Sequence, residues 1–467
     1  MSHSSEAMKR ICLLLVALFS ATEMASAATR PHYGGTLRME VRGTLSSFEI
    51  AADVNANRAL LRDFLLRNVC DRLVTLDASG TPHPSLAISW RSDGEGRNWY
   101  FTVREGIVMH NGVGLTPQTV VTALAAQNPN WHVHADGKQV VMQSDAPVPA
   151  MLYELASSRN SVCLAGADGR WIGSGPFQIA EFTANQSVEL QAIEDAWQGR
   201  PFLDRIRIQM GRSLADELTD FQLGRADAIE RDPTQSQPIG GSAVAFTRPV
   251  ELVVLAFTPN HPAASDPKLR ESLARALDRN SIFSVLLRRQ GAPSAALLPE
   301  WISGYAHLFT VAQDLAGASQ LRNPLKSLAP LSLAYDGSDD LSRLIAERVS
   351  LNARDAGITL QARQESPMFR SFDADVKLIR VRIESPDPAT ALTSIGEALD
   401  IPELQQARSA ASADRLYTME NAVLKNFLIV PIAHIPDTFS IAPGVHDWAM
   451  QGWGSVDFAN LWVEPVK

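Results

Sequence analysis

"PSLAISWRSDGEGRNWYFTVREGIVMHNGVGLTPQTVV", residues 84–121, carries a strand, two tight turns and a helix start in one run. Trp99, Phe101 and Val103 alternate with polar neighbours, the period of a strand with one buried face. Gly106 and Gly112 fall where tight turns need a residue without a Cβ. Thr116 has the side chain of an N-cap, and Pro117 stands at the first helical position, where its missing N–H costs nothing. Trp90 and Trp99 read as core anchors rather than walls of a ligand cage.

The same two periods extend outward from this run. Upstream, "GGTLRMEVRG" (34–43) alternates Leu37, Met39 and Val41 as a strand, and Leu60, Leu61, Phe64, Leu65, Val69 and Leu73 recur at helical spacing. Downstream, "WHVHADGKQVVMQ" (131–143) is a hairpin with Asp136-Gly137 as its turn. Strands follow within 173–208, and another at 251–259. Beyond them helices dominate. One carries Leu269, Leu273, Ala276 and Leu277 on one face, and the next is expected to stop at Gly291. "LSLAYDG" (331–337) reads as a strand, 339–357 as an amphipathic helix, "ITLQAR" (358–363) as a strand, and 427–445 as strand again. Alternation of this kind builds α/β lobes with mixed sheets.

The chain has 467 residues and a formal charge of −9, with no basic run, which argues against nucleic-acid binding. Lys9 and Arg10 precede the apolar run "ICLLLVALFSA" (11–21), and Ala25-Ser26-Ala27 supplies small residues for cleavage. This is the pattern of an export leader cut after Ala27. The apolar run is well short of the ~20 residues a bilayer span needs. An exported product sits in an oxidising compartment. Cys12 leaves with the leader, so Cys70 and Cys163 form one disulfide or remain two buried thiols. The motifs His-Glu-x-x-His, Gly-x-Ser-x-Gly and the P-loop are missing, so nothing points to an enzyme.

Three blocks, in order, carry a family resemblance. Residues 84–121 supply Pro84, Leu86, Ala87, Ser89, Trp90, Asp93, Gly94, Phe101, Arg104, Gly106, His110, Gly112, Leu115, Thr116 and Val120. Residues 173–208 supply a Gly-x-Gly-Pro turn, then Trp197, Gly199, Pro201, Leu203 and Ile206. Residues 266–305 supply a helix pair and a loop with Leu298, Pro299 and Glu300. Together they resemble the family 5 solute-binding proteins of bacterial ABC importers, the peptide and nickel type. The resemblance implies an α/β fold of two lobes joined by a two-stranded hinge, with an extra inserted subdomain. It divides the chain into 30–46, 172–248 and 432–467 as the core of lobe I, 47–171 as the inserted subdomain, and 249–431 as lobe II, with crossings near residues 248 and 432. It implies a periplasmic monomer without cofactor that hands a peptide-like or other small zwitterionic or anionic solute to a permease and its ATPase. A sensor or chaperone reusing the fold is the alternative.

The candidate site lies in "LIRVRIESPDP" (378–388). Ile379, Val381 and Ile383 alternate with Arg380, Arg382 and Glu384, so the charges share one face. The resemblance places Glu384 where short-peptide binders keep an aspartate for the ligand's ammonium. Arg380 and Val381 replace the Gly-Trp pair of those binders. Arginine's planar fork suits a carboxylate, so Arg380 and Arg382 are candidates for an anionic end. A structural Arg382–Glu384 ion pair is the competing expectation. Ser46, Ser47 and Phe48 fall where the family has a cleft loop, which makes Ser47 and Phe48 candidates as well, with Phe48 otherwise a core residue. His132 and His134 form a His-x-His with no third metal ligand in view, and His110 reads as structural.

Overall fold

The computed structural model describes residues 30–465 apart from 51–54, 129–130, 236–238, 260, 326–327, 366–373, 451 and 455. The expected leader and its cleavage site after Ala27, with Cys12, lie outside the described residues. From Gly34 onward the chain forms one compact unit.

Its backbone is an eleven-stranded mixed sheet. Thr36–Glu40 is parallel to Arg205–Gln209, with Leu37 opposite Ile206 and Met39 opposite Ile208, all fully buried. Phe177–Thr183 and Ser187–Ala192 extend that edge, and Ala228–Glu230 lies on the other side. The opposite half holds Val376–Arg382, Leu331–Asp336 and Leu360–Glu365, the last two a parallel pair bridged by the amphipathic helix Asp340–Asp355. Such crossovers bury both sheet faces, which explains apolar strands without clean alternation.

Two long strands, Ala243–Phe257 and Ile429–Ile441, run antiparallel through the middle and belong to both halves. Their register shifts on either side of Pro249, which stands opposite Pro436. Neither proline has an N–H to donate, so the ladder is interrupted at this level, and the register shifts once more between Val253 and Val254. One hydrophobic core lies on each side of the break. The first gathers Leu37, Met39, Phe177, Ile206 and Phe439, and the second gathers Leu255, Leu273, Ile345, Leu378 and Ile432.

A third core surrounds a separate four-stranded sheet that includes Asn98–Val103 and the hairpin His132–Asp136 and Gln139–Gln143. Phe101 is fully buried there, and Thr116 caps the helix Pro117–Gln127 by accepting from the Thr119 N–H at 3.2 Å. The helix Ala56–Val69 packs into the first core through Leu61, Phe64 and Leu65, although its sequence position falls inside 47–171.

Three local expectations shift. The hairpin's two-residue loop is Gly137–Lys138, one residue later than read, with Gly137 at φ 57. Leu73 lies beyond the helix that ends at Val69. The helical segment expected to stop at Gly291 ends at Leu286, after a wide turn over Ile282–Leu286, with Leu287 as its cap. Arg288 and Arg289 already take positive φ, and Gly291 (φ 91) lies against the second long strand, where a Cβ would come within 2.1 Å of the His434 carbonyl.

Cys70 and Cys163 are bonded, with Cα atoms 5.6 Å apart. The Val162 N–H donates to the Asp71 carbonyl at 2.7 Å, which sets the two segments side by side and brings the thiols within reach.

Candidate functional site

The strand Val376–Arg382 changes character along its length. Val376 and Leu378 face the second core, while Ile379, Val381 and Ile383 face a fourth core with Leu252 and Leu392. Arg380, Arg382 and Glu384 continue the Val376–Leu378 side after the apolar layer ends. The chain then turns, and Asp387 caps the helix Pro388–Ala398 by accepting from the Thr390 N–H at 2.8 Å. Across from this turn lie the helix Ala56–Val69 and the short turn Ser158–Asn160.

A small, partly open pocket lies between these elements. Arg62, Ser158 and Arg159 line one side, and Arg382, Glu384 and Glu397 the other. The Ser157 hydroxyl donates to Glu384 at 3.3 Å. Arg159 joins the two sides, since its guanidinium binds Glu154 of its own segment and Glu397 of the opposite helix. Arg408 also holds Glu397, at 2.8 Å. Burial works against the Arg159 charge, but Glu154, Glu397 and Glu384 outweigh it and raise its pKa.

Of the five predicted ligand residues, only Glu384 and Arg382 reach this pocket. Arg382 does not pair with Glu384. Its guanidinium binds Asp437 on the second long strand and donates to the Gly454 carbonyl at 2.9 Å, while its Nε has no hydrogen-bond partner among the described residues. Arg380 is taken up elsewhere. It donates to Glu251 at 2.6 and 2.9 Å and pairs with Asp339, the N-cap of the helix Asp340–Asp355. A guanidinium that deep keeps its charge only beside carboxylates, and these two saturate it.

Phe48 packs in the first core, 4.4 Å from the Phe182 ring and 5.1 Å from Trp171. A phenyl ring gains more from that contact than from a polar cleft. Ser47 is exposed and does not line the pocket. His110 is structural, bonded to the Gly175 carbonyl at 3.0 Å and to the Gly173 N–H. His132 and His134 are exposed on an edge strand, and no group of three or more metal-binding side chains occurs among the described residues.

The sheet also carries a buried charge network. Arg42 faces Glu217 at 3.2 Å, Glu230 at 3.8 Å and Asp232 at 3.7 Å. Burial pushes Glu230 and Glu251 each up to about 7. Asn55 donates to Asp336 at 2.6 Å and so ties the segment before the helix Ala56–Val69 to the far half of the sheet.

Sequence reading missed Arg159 and Glu397, which are 238 positions apart. No spacing rule links them; only the packing of two separate segments does.

Two cores on either side of a broken pair of long strands, with a charged pocket between the halves, define a two-lobed α/β fold with a cleft. The family model for bacterial extracellular solute-binding proteins, family 5 (middle region), matches residues 81–399. The chain belongs to that family. It is 22% identical over 371 residues to the probable ABC transporter periplasmic-binding protein SapA of Escherichia coli K12. That match takes in 68% of this chain and 66% of the relative, just under two thirds of its length. Among solved structures, DppA from Helicobacter pylori, described in complex with the peptide STSA, superposes with a TM-score of 0.82 at 14% identity, covering 94% of this chain and all of that one. NikA from Staphylococcus aureus, in complex with Ni(L-His)2, gives 0.78 at 14% identity, covering 92% of this chain and 100% of that one. These likenesses establish the two-lobed α/β fold. Among the described residues no helix is long and apolar enough to cross a membrane.

Proposed function

We propose that this chain is the exported, periplasmic solute-binding component of an ABC importer. It captures a small zwitterionic or anionic solute, peptide-like in its charges, and presents it to the permease and ATPase. The supporting observation is the pocket itself, where Glu384 stands beside Arg382 and Arg159 between elements of the two halves. A carboxylate and guanidinium groups on one small cavity match a ligand with an ammonium and a carboxylate.

The lobes divide where the ladder of the long strands breaks, at Pro249 and Pro436. Bending there opens and closes the cleft, since a level without ladder hydrogen bonds is the cheapest to deform. Lobe I holds the first core and carries the subdomain with the four-stranded sheet. Lobe II lies between the two crossings. The helix Ala56–Val69 belongs with lobe I proper, because its apolar face is part of that core.

The test is mass spectrometry of whatever small molecule leaves the purified protein on denaturation, followed by calorimetry of that solute against wild type and Glu384→Ala. An ammonium-bearing solute and at least tenfold weaker binding by the variant are expected. Equal affinity would remove Glu384 from the site.

A further inference from the structure

We propose that Arg159 sets the upper size of the solute by spanning the cleft to Glu397 and walling off one side of the pocket. The inference rests on the reading of this cleft as the solute site. Arg159 follows the short helix Met151–Ala156 in the subdomain, and Glu397 lies in the last turn of Pro388–Ala398 in the opposite lobe. One arm of the Arg159 guanidinium is held by Glu154, whose side chain is 1% exposed and cannot move without stranding a buried charge. The other arm meets Glu397, itself fixed by Arg408. A planar fork with both arms committed to carboxylates on opposite sides is a strut, and lysine could not replace it.

The strut is placed to act on the ligand. Arg159 and Glu397 both line the pocket, and the Arg159 Nε is buried without a hydrogen-bond partner among the described residues. The pocket's other orphaned donor is the Arg382 Nε, on a side chain that is 2% exposed. A buried donor without an acceptor calls for an explanation, and a carboxylate drawn in between these two guanidinium groups would supply one. The Arg159–Glu397 contact stands in the way of chain continuing past that carboxylate. Arg159 and Glu397 keep 21% and 28% side-chain exposure, so solvent still reaches the pair.

The experiment reads pocket access without a known ligand. Ser394, on the pocket wall, is replaced by cysteine; Cys70 and Cys163 are bonded to each other, and Cys12 is replaced by serine. Reaction of Ser394→Cys with a small methanethiosulfonate is compared with that of a maleimide carrying a polyethylene glycol chain. In the wild-type background the bulky reagent should react far more slowly. Arg159→Ala should raise the bulky-to-small rate ratio at least tenfold, and Glu397→Gln, which keeps the packing, should do the same. An unchanged ratio in a folded Glu397→Gln protein overturns the proposal. The underlying reading is scored separately, with solute released from the native protein added back. If the solute fails to protect the cysteine, the site reading fails even where the ratio has risen.

Discussion

Arg382 and Asp437 form an ion pair across the middle of the sheet, from strands separated by the first long strand, with side chains 2% and 1% exposed. Burial opposes the Arg382 charge, and Asp437, Asp63 and Glu251 together overcome it and raise its pKa. Arg382→Met removes one partner and leaves Asp437 buried. The expected cost is about 3–5 kcal/mol in urea unfolding. Replacing both residues, Arg382→Met with Asp437→Leu, should recover most of it. If the double variant is as unstable as the single one, the pair is not what holds this region.

Glu420 is fully buried and binds the loop ahead of Pro299. Its carboxylate accepts from the Leu297 N–H at 2.5 Å and the Tyr305 hydroxyl at 2.8 Å, and burial pushes its pKa up to about 7. An acid raised on folding contributes stability that is complete below its unfolded pKa near 4.5 and is lost as pH rises through about 7. Glu420→Gln removes that loss. Relative to wild type it should gain roughly 3 kcal/mol between pH 4.5 and pH 8, at ~1.4 kcal/mol per pKa unit. The difference between the two proteins isolates this group from His434, which burial lowers to about 4 and which acts on the acid side. Parallel stability curves would contradict the assignment.

The Cys70–Cys163 bond closes a loop of 93 positions. Loop-closure entropy for that length is worth ~4–5 kcal/mol in the unfolded chain. Thermal melts with and without reductant should differ accordingly, and the Cys70→Ala, Cys163→Ala protein should melt like the reduced form. A reduced protein as stable as the oxidised one would show that the bond adds nothing.

Phe48 packs between Phe182 and Trp171 and does not line the pocket. Phe48→Ala should therefore cost about 2 kcal/mol of stability, less than a fully buried phenylalanine because the ring is half-buried. Solute affinity by calorimetry should stay within twofold. Lost affinity in a protein of unchanged stability would restore Phe48 to the cleft.

Much of the fold was legible because it rests on local periodicity. Thr116 and Pro117 start a helix wherever that segment lies, and Trp99, Phe101 and Val103 require one buried face. The alternation in 378–388 correctly put Arg380 and Arg382 on one side of a strand, whereas Glu384 lies past the strand's end at Arg382. It did not reveal that each would find a different partner: Glu251 with Asp339, Asp437, and the Ser157 hydroxyl. Gly291 read as a helix stop, yet what keeps it a glycine is the His434 carbonyl of a distant strand.

The amino-acid sequence by itself determined the elements, the order of the blocks and the charge carried by one strand end, since each depends on neighbours a few residues apart. Tertiary structure alone decided which charges line the pocket. Arg380 is consumed by buried carboxylates, Arg382 lines the pocket while paired with Asp437, and Arg159 meets Glu397 only because folding packs two segments distant in the chain against each other. A buried ion must take the partner that packing supplies, and that partner is set by the fold rather than by distance along the chain.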